Sequence, residues 1–530
     1  MSARKLLLVT GLVIIALFAI AQAVLTPSNY ALIQTRAELQ TNTVNGESSV
    51  SIDPTNSSYL IDSWPSQWFT PSYSQDGGAS WHNGTASPAG SWSTGIATGD
   101  PWTAIGPDGT DYFTSYYNNT EDLVAYMATS TDHGKNWNLD LNYFASAANN
   151  SATRWTLMNG TATTACYTPD LHFVGDQQKI AVDSGTSSPS RGYVYIIGDF
   201  GVLENGSCTI HDGFTRSRDK GQTWDLHITT NPTPLASETE QIAIGQNGEI
   251  YLARFYDDSR IIFEKSTDAG ASWNYLLIPV SNLEGYSVNL TITPSGILYI
   301  VYMRCLTTCN PSTNGTSAVY LISSTDDGRN WSAPSQISDP TSLPYWTYVP
   351  VVCGILTDCE PEHRPPTITA SSLGIIVAWT DWRNSNNNTN ADIYAYIRGT
   401  SSNTRITSYT GRLCNLSKTI ACTWNGNDFM SSASSERGVY LAYGIDVDKK
   451  APTRGDLIDA TMVLIIGTTS GCTLTVTSTP ENVLPCLLPP PFAATIAGIT
   501  AIATLVVLVK GRSRKPENIE SVIQSRRASQ

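Results

Sequence analysis

The chain has 530 residues and a formal net charge of −14, with only 14% of its residues charged. So weak a basic content excludes a nucleic-acid partner, which needs a concentrated positive surface. Hydrophobic residues at 41% and aromatics at 9% exclude a disordered chain and allow one large repeat domain or several ordinary ones.

Arg4 and Lys5 precede the apolar run Leu6 to Val24, and Ala21 and Ala23 offer a small-residue cleavage site. Residues 1–24 therefore read as a signal peptide or an N-terminal anchor. Residues 45–480 break into short alternating apolar and polar runs separated by Gly, Asn and Asp, with no convincing helix. Seven units can be written, each with an inner strand, a second, a third and an outer strand. They begin near Glu47, Asp100, Asp176, Glu238, Tyr286, His363 and Asp428. Six is the alternative count, because the seventh unit is the weakest match and its outer strand is either "CTLTVTST" or a segment from the N-terminus. The wide interval between the second and third units marks an inserted loop, roughly 141–169. Residues 481–491 form a stiff proline-rich linker. Phe492 to Val509 carries no charge and is just long enough to span a bilayer. The basic run Lys510, Arg512, Arg514 and Lys515 follows, which puts residues 510–530 in the cytoplasm and the repeats outside, on a single C-terminal membrane span.

Ten cysteines fit an oxidising compartment. The neighbours Cys305 and Cys309, Cys353 and Cys359, and Cys414 and Cys422 are candidate pairs, with Cys166 and Cys208 and Cys472 and Cys486 completing the set. Asn-x-Ser/Thr sequons at Asn56, Asn83, Asn118, Asn149, Asn159, Asn205, Asn289, Asn314, Asn330, Asn387 and Asn415 all fall between the two apolar segments.

Five of the units share Ser-x-Asp-x-Gly-x-x-Trp. The copies are Ser74, Asp76, Gly78 and Trp81; Ser130, Asp132, Gly134 and Trp137; Ser217, Asp219, Gly221 and Trp224; Ser266, Asp268, Gly270 and Trp273; and Ser324, Asp326, Gly328 and Trp331. An Asp that accepts backbone N–H bonds, a Gly at positive φ and a covering Trp make a repeated hairpin turn. The motif resembles the Asp box of the sialidase-like (BNR-repeat) β-propellers. That resemblance implies four-stranded blades stacked radially, boxes on one rim, and ligands bound over the opposite, channel-facing side.

Two residue sets fall on that opposite side. The acidic set is Glu47, Asp100, Asp176, Glu238 and Asp428, with His363 in the equivalent place of the sixth unit. A ring of carboxylates suits Ca²⁺ or acid/base work, and it equally suits turn capping. No specific metal motif accompanies it, so no cofactor is expected. The basic set is Arg254, Arg304 and Arg383 at the ends of second strands, with Arg364 nearby. In the sialidase family three arginines grip a sugar carboxylate, a Tyr activated by a Glu is the nucleophile, and an Asp is the acid/base. Carried over, this implies Arg254, Arg304 and Arg383 as a clamp, Tyr443 as the nucleophile, and Asp100 or Asp176 as the acid. The chain departs from the family in lacking an Arg-Ile-Pro segment before the first box, where Arg36 is the only ectodomain arginine. Trp64, Trp68, Trp346 and Trp382 are candidates for stacking on sugar rings or for wedging between blades. The expectation is an all-β propeller at the cell surface that binds a glycan or protein ligand. The alternative is an exo-acting glycoside hydrolase of sialidase type.

Overall fold

The computed structural model describes residues 36–41, 48–63, 71–78, 80–87, 98–119, 122–140, 154–164, 166, 176–230, 242–283, 287–306, 316–339, 343–344, 366–371, 374–381, 383–384, 390–398, 403–406, 411–412, 430–435, 439–446 and 457–464. All lie in the first of the two units into which the chain divides, Met1–Thr468. The described residues hold strands and turns, and no helix among them is long and apolar enough to cross a membrane. Residues 1–24, the linker and 492–509 lie outside them.

Each sequence unit folds as an antiparallel array. Unit 1 runs Ser49–Ile52, Leu60–Ser63, Ser72–Ser74 and His82–Asn83. Unit 2 runs Thr98–Ile105, Asp111–Asn119, Asp122–Ser130 and Asn136–Asp140. Unit 3 runs Asp176–Val182, Val194–Glu204, Ser207–Ser217 and Leu226–Thr229. Unit 4 runs Ala243–Ile244, Ile250–Asp257, Arg260–Ser266 and Asn274–Pro279. Unit 5 runs Asn289–Ile292, Leu298–Cys305, Thr316–Ser324 and Ser335–Gln336. Unit 6 runs Thr367–Ser371, Gly374–Asp381, Asn390–Ile397 and Thr404–Arg405. Unit 7 has Ser431–Ser434, Val439–Asp446 and Leu457–Leu464, and its outer strand is the N-terminal Arg36–Thr41, antiparallel to Leu457–Leu464.

Hydrogen bonding groups these arrays into six sheets, so the count by sheets is six and the expected seven separate blades are corrected. The physical reason is the short strand Gly411–Arg412. It pairs with both Asn390–Ile397 and Val439–Asp446 and fuses units 6 and 7 into one nine-stranded sheet. The outer edges of units 2 and 3 are extended by parallel strands, Thr85–Ser87 and Arg154–Thr156.

The core lies between units. Ile61, Phe113 and Trp137 pack units 1 and 2; Trp102, Tyr112, Ile180 and Ile196 pack units 2 and 3. Similar buried clusters follow around the ring, and Val50 and Leu60 against Tyr440 and Ala442 close unit 7 onto unit 1. A twisted sheet with two apolar faces can bury both only against neighbours, which is why the arrays stack radially.

The five boxes are hydrogen-bonded alike. The Ser hydroxyl donates to the Asp (2.8–2.9 Å), the Gly amide donates to the Ser hydroxyl (2.8–3.0 Å), and the residue before the Trp donates its amide to the Asp (2.8–2.9 Å). The indole N–H donates to the Gly carbonyl (2.9–3.2 Å). At Asp326, hydrogen bonds from the Asn330 side chain and amide and from Ser324 hold the carboxyl down at about 2.

Asp76, in the first box, makes the same bonds. Its carboxylate accepts from the Ser74 hydroxyl at 2.8 Å, the Ser80 amide at 2.8 Å and the Ser80 hydroxyl at 2.5 Å, yet the residue is exposed. Trp81 bonds the Gly78 carbonyl, as the Trp does in the other boxes, and packs against the cluster of Val50, Leu60 and Tyr440.

The box glycines sit under the preceding unit. A Cβ on Gly270 would lie 2.0 Å from the Phe214 ring, and one on Gly328 would lie 2.3 Å from the Phe263 ring. Both glycines also have positive φ, at 85° and 83°. The residue between Asp and Gly has positive φ in every copy, at Gly77, His133, Lys220, Ala269 and Asp327. It touches the preceding unit each time. His133 stacks on Tyr59 at 3.6 Å, and Lys220 pairs with Asp108 at 2.5 Å. The Ala269 carbonyl accepts from Arg216 at 2.8 Å, Asp327 accepts from Tyr251 at 2.6 Å and pairs with Lys265, and the Gly77 carbonyl accepts from Tyr440 of unit 7 at 3.5 Å.

One buried position breaks the pattern. The residue paired with the box Ser is Leu60, Val194, Ile250 or Leu298 in four units and Asp111 in unit 2. Asp111 is fully buried, and neither carboxylate oxygen has a hydrogen-bond partner of good geometry. Burial pushes its pKa up to about 7; the nearby charges of Asp53 and Asp132 add to this, while Gly134 and Ser130 offset part of it.

Both features can be measured. Gly270→Ala should lower stability by about 2–5 kcal/mol, combining left-handed strain with overpacking against Phe214, whereas Gly160→Ala, at φ 85° with open space around it, should cost only about 1–2 kcal/mol. Urea unfolding of both variants checks this. For Asp111, a folded pKa above the unfolded value means that stability is retained below about pH 4 and lost as pH rises through about 7. Asp111→Leu should therefore be more stable than the parent at pH 8, and thermal melts should show the gap closing toward pH 4.

Candidate functional site

The register to the box serines orders the second strands of units 1 to 5 by height, and Val439, paired with the end of its inner strand as Leu298 is, puts unit 7 on the same scale, with the box side at one end and the second-to-third hairpins at the far side. Asp76, Asp132, Asp219, Asp268 and Asp326 all lie at the box end, away from the far side, and serve their own turns. Arg254 lies four residues beyond Ile250, whereas Arg304 lies six beyond Leu298. At about 3.3 Å per residue the two differ in height by roughly 7 Å. Tyr302 and Tyr443 occupy the same height as Arg254 in units 5 and 7, four beyond Leu298 and Val439, and both are buried in inter-unit clusters.

Arg254 is therefore a core residue with a charge. It is 1% exposed between units 3 and 4. Its guanidinium meets Asp212 at 2.6 Å, Glu264 at 2.9 Å and the Thr230 hydroxyl at 2.9 Å. Burial pulls its pKa down, but Asp212, Glu264 and Asp199 outweigh that and hold it above its ordinary value. Burial pushes the Glu264 carboxyl up, partly offset by Arg254.

Arg383 is committed to its own turn. Its side chain donates to Asp381 at 2.6 and 2.9 Å, its amide donates to the same carboxylate at 2.8 Å, and its guanidinium lies 4.1 Å from the Tyr394 ring centre. Arg304 differs from both. It is half-buried, rests over the Tyr320 ring at 5.5 Å, and pairs with no carboxylate among the described residues. Its Nε has no hydrogen-bond partner among them. The three arginines thus do not form one clamp.

Tyr443 is 5% exposed and packs among Ile376, Ile393 and Met430, which removes it from solvent as a nucleophile. Asp100 is buried at φ 47°, where the inner strand shifts register between Gly99 and Trp102. Asp176 opens the unit 3 inner strand at the equivalent shift, between Asp176 and Lys179. Both aspartates mark the same backbone bulge at the far end of an inner strand. Glu47, Glu238, His363, Arg364, Asp428 and the four candidate tryptophans lie outside the described residues. Among the described residues no group of three or more His, Cys, Asp or Glu is arranged to hold a metal ion.

Around the axis, hydroxyls join successive inner strands. Ser49 and Thr103 are 3.2 Å apart, Ser51 donates to the Thr103 carbonyl at 2.7 Å, and Ser431 accepts from the Val50 amide at 2.7 Å. Thr367 and Ser432 are 2.8 Å apart, and Ser434 donates to the Ala370 carbonyl at 2.7 Å. On the far side, the unit 3 hairpin ends in an Asn205–Gly206 turn with both φ positive, a twist-matched two-residue turn. The disulfide Cys166–Cys208 ties the inserted loop, near its end, to that hairpin. Cys305 is also disulfide-bonded, to one of the seven cysteines that lie outside the described residues.

The fold and its boxes define a propeller of sialidase-like architecture. No family model matches the chain, and no curated protein is similar to it in sequence. Solved structures similar to it include a protein of unknown function from Dyadobacter fermentans, at 13% identity, covering 70% of this chain and 95% of that one with a TM-score of 0.39. The Hadza microbial sialidase Hz136 aligns at 15% identity over 64% of each chain, with a TM-score of 0.38. The α-L-arabinofuranosidase Arb93A from Fusarium graminearum aligns at 12% identity over 69% of this chain and 92% of its own, with a TM-score of 0.38.

Removing Arg254 would strand buried carboxylates, so Arg254→Ala should cost about 3–5 kcal/mol in urea unfolding. Arg304→Ala should stay within about 1 kcal/mol of the parent, since it breaks no ion pair among the described residues.

Proposed function

We propose that this protein is a cell-surface, membrane-anchored propeller that binds a glycan or protein ligand on its far side and does not hydrolyse sialosides. One observation carries the reading: Arg254, which a carboxylate clamp would need, is engaged on all sides by Asp212, Glu264 and Thr230 inside the core. Among the described residues Arg304 remains as the one candidate arginine with a half-buried guanidinium paired with no carboxylate, lying over an aromatic ring beside exposed Leu306. A cation on an aromatic platform suits a single polar or anionic group of a ligand better than a buried reaction centre. The charge-free run 492–509 and the basic tail after it support the anchor, with the propeller outside.

Glycan-array binding and fluorogenic sialoside turnover, both on the detergent-solubilised full chain, test this. Binding without turnover is expected, and Arg304→Ala should weaken that binding about tenfold, equivalent to about 1.4 kcal/mol. Sialoside turnover that disappears in Arg304→Ala would replace this reading with the hydrolase of sialidase type.

A further inference from the structure

The sequons do not share one geometry. Asn56 is exposed, and its side-chain oxygen accepts the amide of Ser58, the hydroxy residue of its own sequon, at 3.1 Å. Asn159 is exposed in the same arrangement, with the amide of Thr161 donating to its side-chain oxygen at 2.9 Å. This is an Asx turn, in which the carboxamide oxygen is held and Nδ2 is left toward solvent. It needs only residues i to i+2, so the nascent chain can adopt it before the propeller closes. Gly160, at φ 85° with nothing within 4 Å of where a Cβ would stand, leaves the space around Asn159 open.

Two other sequons are committed to the fold. Asn289 is 3% exposed at the start of the unit 5 inner strand, and its side-chain oxygen accepts from Leu290 at 2.7 Å. Asn330 belongs to the fifth box, where its Nδ2 donates to Asp326 at 2.6 Å. A glycan on the first has no room, and one on the second competes with the bond that fixes the box.

We propose that Asn56 and Asn159 are N-linked glycosylation sites and that Asn289 and Asn330, with the same tripeptide signal, are not. The donor is a polyprenyl-diphosphate-linked oligosaccharide. Nδ2 forms a C–N bond to the anomeric carbon, the anomeric C–O bond to diphosphate breaks, the lipid diphosphate leaves with the electron pair, and Nδ2 gives up one proton. The inference rests on the propeller being outside the membrane, as proposed above.

The test translates the full chain in the presence of microsomes and reads two things. Protease protection reports lumenal placement without reference to glycans. Glycopeptide mapping after enzymatic deglycosylation in ¹⁸O-water reports each site. The expected result is a protected propeller with ¹⁸O-labelled Asp at positions 56 and 159 and unlabelled Asn289 and Asn330. Thr161→Ala should remove one glycan step on a gel and leave the step from Asn56. Protection with Asn56 and Asn159 both unlabelled would overturn this inference and leave the topology standing. Label at Asn289 or Asn330 in the folded protein would overturn the geometric selection. A propeller open to protease would overturn both the topology and the glycosylation.

Discussion

The structure depends on the seating of one box glycine beneath the unit before it. With the Ser hydroxyl accepting the Gly amide and the Asp gathering the next turn, two successive residues are held at positive φ. That geometry leaves no space for a Cβ at Gly270 or Gly328, where an aromatic ring of the preceding unit fills the site. It also turns the residue before the Gly outward as a latch, whose chemistry varies from a stacked histidine to an ion pair to a bare carbonyl. The backbone does the locking, so the side chain there is free to vary.

Locking one rim has a consequence for the other. The box side is held by hydrogen bonds, ion pairs and rings between units, and the axis is joined by hydroxyls between inner strands. Variation then falls to the far side. There the unit 3 hairpin extends to Asn205–Gly206, a disulfide ties an insertion against it, and Arg304 pairs with no carboxylate among the described residues. The two charged intrusions into the core are handled differently. Arg254 is matched by carboxylates, whereas Asp111 pairs with no cation among the described residues and burial raises its pKa to about 7.

Much of the fold was legible in the sequence because Ser, Asp, Gly and Trp are each required by the same turn. The motif alone places Trp137 and Trp273, and with them the strands that they open. Closure was legible only as a pair of choices, and the N-terminal strand Arg36–Thr41 completes unit 7. The merging of units 6 and 7 was not legible, since Gly411–Arg412 is two residues long and carries no strand pattern. The candidate site was read less well. Arg254, Arg304 and Arg383 were grouped because each stands near a strand end, but nearness to an end does not fix height or facing.

The missing signal was present in the boxes themselves. Counting from the residue that pairs with each box Ser, or in unit 7 from Val439 at the matching end of the inner strand, gives these second strands a common ruler, and side chains on one face recur at even steps. On that ruler Arg254 shares its place with Tyr302 and Tyr443, two aromatics of inter-unit cores. An arginine in a slot that units 5 and 7 fill with core tyrosines is buried here too, and a buried arginine must bring its own carboxylates. Asp212 and Glu264 are those carboxylates. Arg304, two steps further along, passes beyond the start of its inner strand, where no described acid of a neighbouring unit pairs with it. The same count separates Arg304 from the buried slot that Arg254 fills.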